Sequence, residues 1–175
     1  MNDLLSYILK KLELAITQKG AYFKFGSLAS SHNNIPEQRM VVIRKLIDNK
    51  LYIYTDSRSQ KVNHYQNNDK ASLLFYDTEL MEQLILKGKV TVEITNTEQL
   101  WETIPDFTHK DYTTLEAPGT PIKNDIVEYD NNTHHFCYLI FEFNAIDYLK
   151  IDRTYNKRTT FSLNNNEWIE TKVTP

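Results

Sequence analysis

Arg39–Lys45 reads RMVVIRK and Tyr54–Lys61 reads YTDSRSQK, two segments around which the rest of the chain is organised. In the first, Arg39 and Arg44 bracket the apolar run Met40-Val41-Val42-Ile43. An arginine entering an apolar strand needs a partner or an exit to solvent. Their odd spacing puts the two on opposite faces of a regular strand, so one ligand reaches both only where the strand bulges or the ligand wraps its end. In the second segment a strand ends at Thr55 and breaks into a polar, basic turn that opens a short helix. Asp56 or Ser57 is placed to cap a helix beginning near Arg58 or Ser59. The first turn of a helix leaves backbone N–H groups unpaired and carries positive partial charge. Ser59 adds a hydroxyl, and Arg58 and Lys61 add full charges. This is the composition of an anion site, in which each charge-assisted bond contributes about 1.5–3 kcal/mol. Taken alone the turn also reads as a solvated surface decorated by Arg and Lys; the arginine-bearing strand beside it favours the anion site.

Outward from these segments, Asp3–Lys19 has helical periodicity, with Leu4, Leu5, Ile8, Leu12, Ala15 and Ile16 on one face, Asn2 or Asp3 to cap it and Gly20 to end it. Ala21–Ser30 is aromatic-rich and extended, and Ser31–Glu37 is a turn cluster. Arg39–Leu46 and Leu51–Thr55 read as a hairpin turning at Asp48-Asn49-Lys50. Ser59–Asn67 is a short helix. Ala71–Tyr76 and Gln83–Thr95 are strands, the second bending at Gly88. Thr97–Ile104 is a short helix with Thr97 as its cap. The aperiodic stretch Asp106–Tyr129 is long enough for a binding or dimer role. Phe136–Phe143, Ala145–Ile151, Thr159–Leu163 and Trp168–Val173 are strands, with a hairpin turn at Asn164-Asn165-Asn166. The pattern is α+β and mainly β. Because closure removes exposed edges, it points to a closed antiparallel barrel with short peripheral helices.

The chain has 175 residues, enough for one domain with a real core. Its formal charge of -3 argues against a general nucleic-acid binder but leaves room for a local basic cluster. A lone cysteine, Cys137, excludes an internal disulfide and sits in an apolar run that reads as core. No apolar run reaches the length of a membrane span and no signal peptide is evident, so cytoplasm is the default expectation. No His, Asp and Glu spacing suggests a metal. His32, His64 and His109 are scattered, and His64 reads as a surface or dimer residue. Trp101 and Trp168 read as packing residues, as do Phe75 and Tyr76 in the simpler account.

RMVVIRK, LYIYTDSRSQK, KASLLFY and EQLILKGKV, in this order and spacing, resemble the core of the pyridoxamine 5′-phosphate oxidase-like family of FMN-binding split barrels. The resemblance is strongest over residues 39–90 and extends across 23–173. It implies a single FMN-binding split-barrel domain over 1–175, with an N-terminal helix at 3–19 and a motif-bearing core at 39–94. It implies FMN as cofactor and a homodimer with the flavin between subunits. Arg39 would contact the flavin or its ribityl chain, and the backbone around Met40, Val41 and Val42 would line the ring. Tyr54 and Thr55 would lie near the ring and phosphate tail, and Arg58, Ser59 and Lys61 would hold the phosphate. Gln83 would approach the isoalloxazine across the dimer interface. Arg44 stands where the vitamer oxidases carry a substrate-contacting lysine, and Arg158 is a candidate for one of their C-terminal arginines.

The departures decide how far the resemblance carries. The phosphate turn of the vitamer oxidases reads Ser-Arg-Lys, whereas this chain has Ser59-Gln60-Lys61 with the arginine at Arg58. Trp101–Tyr112 does not match their substrate-phosphate segment, and Tyr155–Phe161 departs from their C-terminal arginine pattern. The reading is therefore an FMN flavoprotein of the related branch, an oxidoreductase on an unidentified small molecule, with the flavin itself as the reactive group and no side chain singled out as acid or base. A non-enzymatic flavin- or haem-binding module is the alternative, and a true pyridoxamine or pyridoxine phosphate oxidase ranks below both.

Overall fold

In the computed structural model, which describes residues 3–130 and 132–175, two adjacent asparagines set the first hairpin. Asn33 and Asn34 have φ of 50° and 64°, the left-handed pair that a tight turn between right-twisted strands needs. They join β1 (Phe25–His32) to β2 (Ile35–Val42), which run antiparallel with Arg39 opposite Leu28 and Met40 opposite Ser27. This corrects two expectations. Residues 31–37 are mostly strand rather than turn, and Arg39–Val42 pairs with β1 instead of folding back on Leu51–Thr55. The polar cluster misled because its two asparagines alone make the turn, while Pro36 is accommodated in a strand at the sheet's end.

The hairpin expected at Asp48 is present but shorter. It joins β3 (Lys45–Ile47) to β4 (Lys50–Asp56), with Asp48 at φ 52°. Then follow α2 (Gln60–Asn67), β5 (Lys70–Asp77), β6 (Glu82–Glu93), α3 (Glu98–Trp101), α4 (Asp106–His109), β7 (Phe136–Lys150), β8 (Lys157–Asn164) and β9 (Glu167–Val173). Thr97 stands at the N-cap position of α3 without a side-chain capping bond, and that helix stops at Trp101. Asn165 and Asn166, again at positive φ, turn β8 into β9.

The strands pair antiparallel in the order β2-β1-β5-β6-β7-β4-β3, with β8 on β7 and β9 on β8. The long β7 is one strand, not two. Along one edge it holds β6; along the other it holds β4 with its first half and β8 with its second. The expected closure is corrected: no ladder joins the two ends of the path, β2 and β3. The chain itself connects them. Within two residues Ile43 N donates to Lys24 O and Arg44 N donates to Tyr52 O, each at 2.9 Å, so the backbone passes from one end of the sheet to the other. The architecture is a mostly antiparallel, split sheet with few helices.

Leu51, Ile53, Leu84, Leu86, Phe141 and Phe143 fill its interior, and α1 (Asp3–Thr17) adds Leu5, Ile8, Leu12 and Ala15. Asn2, expected as an alternative cap, lies outside the described residues. Gly20, at φ 81°, follows the helix in the left-handed conformation that ends it. At Gly88 the β6–β7 register shifts, and a Cβ there would overlap the Glu142 carbonyl. Cys137 is fully buried, and that burial pushes its thiol up to about 12. Among the described residues no helix is long and apolar enough to cross a membrane.

Candidate functional site

Thr55 and Asp56 end β4, and the turn that follows delivers the chain into α2. The helix starts at Gln60, later than the capping pattern suggests. Ser59 occupies the N-cap position in an extended conformation without a side-chain cap bond. Asp56 does not cap the helix. Its Oδ1 accepts from the backbone N of Arg58 at 2.8 Å, closing the turn one step earlier. The Ser59 hydroxyl lies 3.4 Å from Thr55 Oγ1, and Lys61 Nζ donates to that oxygen at 2.8 Å.

Arg39 approaches the same end of the sheet from β2. Its Nη1 donates to Ser30 Oγ at 2.7 Å and, at 3.3 Å each, to the carbonyls of Leu28 and Glu37; Nη2 pairs with Glu37 at 3.1 Å. The arginine is close enough for its charge to act on Lys61. Burial first, and then Arg39, hold the Lys61 ammonium below the usual lysine range. Among the described residues Lys61 makes no ion pair. Two cations, two hydroxyls and a helix start therefore converge, which is an arrangement that stabilises a bound anion.

Arg58 is engaged differently. Its Nε and Nη2 form a two-pronged pair with Asp56 at 3.2 and 2.8 Å, while Nη1 and Nη2 donate to the carbonyls of Leu115 and Thr114 at 2.9 Å each. It joins the basic turn to the long 106–129 stretch. Ser57 N also donates to His135 O, and His135 N to Tyr112 O, so that stretch and the segment after it dock beside β4. Sequence gave no sign of this pairing, because the partners lie far along the chain.

On the other face of β4, next to Thr55, stands Tyr54. The Arg44 guanidinium lies 5.6 Å from its ring centre, and Arg44 also reaches the Tyr112 hydroxyl. Arg44 Nε is buried and unbonded. Tyr54 packs edge-on against Phe136, and burial raises its phenol; burial likewise raises that of Tyr112, partly offset by Arg44. Trp101 lies between the flat faces of His109 and His134, at 3.9 and 4.2 Å, and completes this aromatic cluster. The two arginines of RMVVIRK thus serve opposite faces of one strand end, and a ligand reaching both wraps that end at Tyr54-Thr55.

The other candidates lie apart. Val41 is buried, while Met40 is exposed on the outer sheet face with Phe25, Leu74 and Tyr76. Gln83, opposite Tyr76 on β6, shares that face, and Val42 pairs with Phe25 there. Arg158 on β8 pairs with Asp147 through two bonds of 2.9 and 2.7 Å, and among the described residues no contact connects it to the cation cluster. Ser30, Glu37, Tyr112 and His64 belong to the site's surroundings although nothing in their sequence context singled them out. The surface position expected for His64 is corrected: it is buried, since β1 packs over it and Ser30 bonds its ring.

A family model described as pyridoxamine 5′-phosphate oxidase, FMN-binding domain, matches residues 4–94, just over half of the chain. The chain is 38% identical over 61 residues to the pyridoxine/pyridoxamine 5′-phosphate oxidase of Pelagibacter ubique (strain HTCC1062). That match spans 35% of this chain and only 29% of the relative's length. Among solved structures, a pyridoxamine 5′-phosphate oxidase-related, FMN binding protein from Nostoc punctiforme PCC 73102 has the same fold, with a TM-score of 0.81 at 20% identity over 100% of this chain and 99% of that one. PhzG from Burkholderia lata 383, solved with tetrahydrophenazine-1-carboxylic acid, gives a TM-score of 0.76 at 16% identity over 98% and 91% of the two chains.

Proposed function

The chain belongs to the family of the pyridoxamine 5′-phosphate oxidase FMN-binding domain, and from that premise we propose that it binds FMN and works as an oxidoreductase on a small molecule. The observation that carries this reading is the convergence of Arg39 and Lys61 on the start of α2. The donor set fits a phosphate monoester: two cations, the Ser59 and Thr55 hydroxyls, and the positive end of a helix. In this reading Arg39, Ser59 and Lys61 hold the phosphate, and Arg58 braces the turn through Asp56. The backbone around Met40, Val41 and Val42 lines the ring, and Tyr54 stands at the strand end where phosphate and ring regions meet. When bound, the flavin supplies two-electron redox chemistry; the chain's part is to bind, orient and exclude water.

Arg44, with Tyr54 and Tyr112, faces the substrate side. Its buried, unbonded Nε is a donor awaiting an acceptor. The exposed apolar face of Phe25, Met40, Leu74 and Tyr76 supports a second copy as partner, which would bring Gln83 to the flavin from across the interface. Arg158, paired with Asp147, lies on the strands extending this face and would contribute at its margin.

The test is the visible spectrum before and after FMN is added and the protein is gel-filtered. A retained flavin spectrum in a dimer-sized peak, with the flavin reduced by a nicotinamide or reoxidised by an acceptor, supports the oxidoreductase. Among the described residues the site gathers cations, hydroxyls and rings, with the nearby Asp56 and Glu37 carboxylates taken up by Arg58 and Arg39, and this favours a flavin carrier as the second reading. A retained flavin that no donor reduces selects that reading.

A further inference from the structure

His64 lies one turn beyond Lys61 on α2, and both it and Ser30 are only 4% exposed. The His64 Nδ1 is 3.1 Å from Ser30 Oγ, which in turn is 2.7 Å from Nη1 of Arg39. A guanidinium can only donate, so Ser30 Oγ accepts from Arg39. The hydroxyl has one proton of its own, and among the described residues its remaining partner is His64. Given to Nδ1, that proton makes Nδ1 the acceptor and places the imidazole hydrogen on Nε2, the tautomer on which the inference below stands. Neighbouring groups hold the ring in place. Glu37 Oε2, 3.8 Å from His64 Nδ1, is beyond hydrogen-bond reach of that nitrogen and is taken up by Arg39 at 3.1 Å. The His32 ring stacks flat on that of His64, with centroids 4.9 Å apart and planes 4° from parallel. Tyr65 OH donates to Ala29 O at 2.9 Å, tying α2 to β1 beside Ser30.

We infer that His64 is a positioning residue: through the Ser30 hydroxyl it fixes the Arg39 guanidinium that faces the cofactor phosphate. This role rests on the phosphate cradle proposed above. Removing the Nδ1 acceptor leaves the Ser30 proton unpaired in a buried site, so the hydroxyl turns and its hold on Arg39 loosens. The part of the ligand that senses the change is the phosphate, which riboflavin lacks.

The experiment measures FMN and riboflavin affinities for the wild type, His64→Phe, His64→Asn and Ser30→Ala, together with 15N NMR of the His64 ring in the unliganded protein. His64→Phe and Ser30→Ala lower FMN affinity about tenfold, the loss of one bond to a charged group, and leave riboflavin affinity unchanged. His64→Asn, whose amide offers an acceptor where Nδ1 stood, recovers most of the loss. NMR finds Nδ1 unprotonated and Nε2 protonated. Parallel weakening of both flavins, Asn behaving as Phe, or a proton on Nδ1 of a neutral ring each overturns the inference. Should His64→Phe not fold, Ser30→Ala carries the comparison. A wild-type protein that takes both flavins equally overturns the cradle and this role with it. A wild-type preference that is undiminished in His64→Phe overturns the role of His64 alone.

Discussion

Lys61 on α2 points its ammonium at Thr55 Oγ1 while Arg39, from a strand at the far end of the pairing path, adds a second positive charge beside it. Burial and that like charge lower the Lys61 pKa, an arrangement that costs stability in the free protein and is relieved by a bound anion. A phosphate stabilises the protonated amine, so binding and protonation are linked. FMN affinity is expected to fall as pH rises through the lowered Lys61 pKa, below the ordinary lysine range, while riboflavin affinity stays flat. Titrations of both flavins across the alkaline range check this; parallel curves contradict it. Lys61→Met removes the pH dependence and weakens FMN by about tenfold or more.

Arg58 separates bracing from binding. Its bonds to Asp56 and to the Thr114 and Leu115 carbonyls hold the 106–129 stretch against the phosphate turn. Arg58→Ala leaves the Asp56 carboxylate buried without its partner, a change that costs about 3–5 kcal/mol. Hydrogen exchange around residues 112–116 is expected to accelerate more than exchange in β6 or β7. Uniform exchange rates across the variant would mean that Arg58 does not tether the stretch.

A second buried charge cluster anchors the N-terminal helix. Lys11 Nζ lies 2.7 Å from Asp77 and 2.6 Å from Glu82, and Tyr7 OH donates to Glu82. Lys11→Met leaves Asp77 buried without a cation and Glu82 with only Lys150, at 3.5 Å, and is expected to destabilise the protein by about 3–5 kcal/mol. Burial alone would raise both carboxyl pKa values, but Lys11 and the hydrogen bonds around it bring them below the ordinary range. The sign follows: this stability is present above the unfolded pKa values and is lost as pH falls through the lowered folded ones, below about pH 4. Denaturant melts at neutral and acid pH check it, and the Lys11→Met melt is expected to depend less on pH in that window.

Gly88 sits at the β6–β7 register shift, where an added Cβ would meet the Glu142 carbonyl and lie 2.7 Å from Phe143 Cα. Both are backbone atoms of the central strand and cannot swing aside. Gly88→Ala is expected to destabilise by at least about 1–3 kcal/mol, the range for overpacking. A neutral thermal melt would contradict the close approach.

The apolar outer face provides the oligomer prediction. Met40→Asp with Leu74→Asp, two exposed positions opposite Ser27 on either side of β1, is expected to shift a dimer to monomer in light scattering while leaving the circular dichroism unchanged. A wild-type monomer at micromolar concentration contradicts the interface.

Local chemistry made much of this legible. The helix period of α1, the strand runs, the asparagine turn after β8 and the bend at Gly88 all follow from rules spanning a few residues, and so did the basic turn after Thr55. What stayed hidden depends on distant partners. Arg39–Val42 pairs with β1 because Asn33-Asn34 turns the chain tightly, whereas the surrounding polar residues and Pro36 suggested a loop. The barrel was expected to close by a ladder, but its ends are joined by Ile43–Arg44 of the chain itself. His64 was read as exposed because a histidine on a polar helix carries no mark of burial; Ser30, more than a strand away, is what buries and bonds it. Arg58 displayed its charge but not Thr114, which takes it up.

The most direct measurement is calorimetric titration of the purified protein with FMN and with riboflavin. One FMN per chain is expected, with an affinity at least about a hundredfold above that for riboflavin, the effect of two charge-assisted bonds to the phosphate. In Arg39→Ala with Lys61→Ala that preference collapses. A protein that takes up no FMN, or that takes both flavins equally, contradicts the proposed cradle.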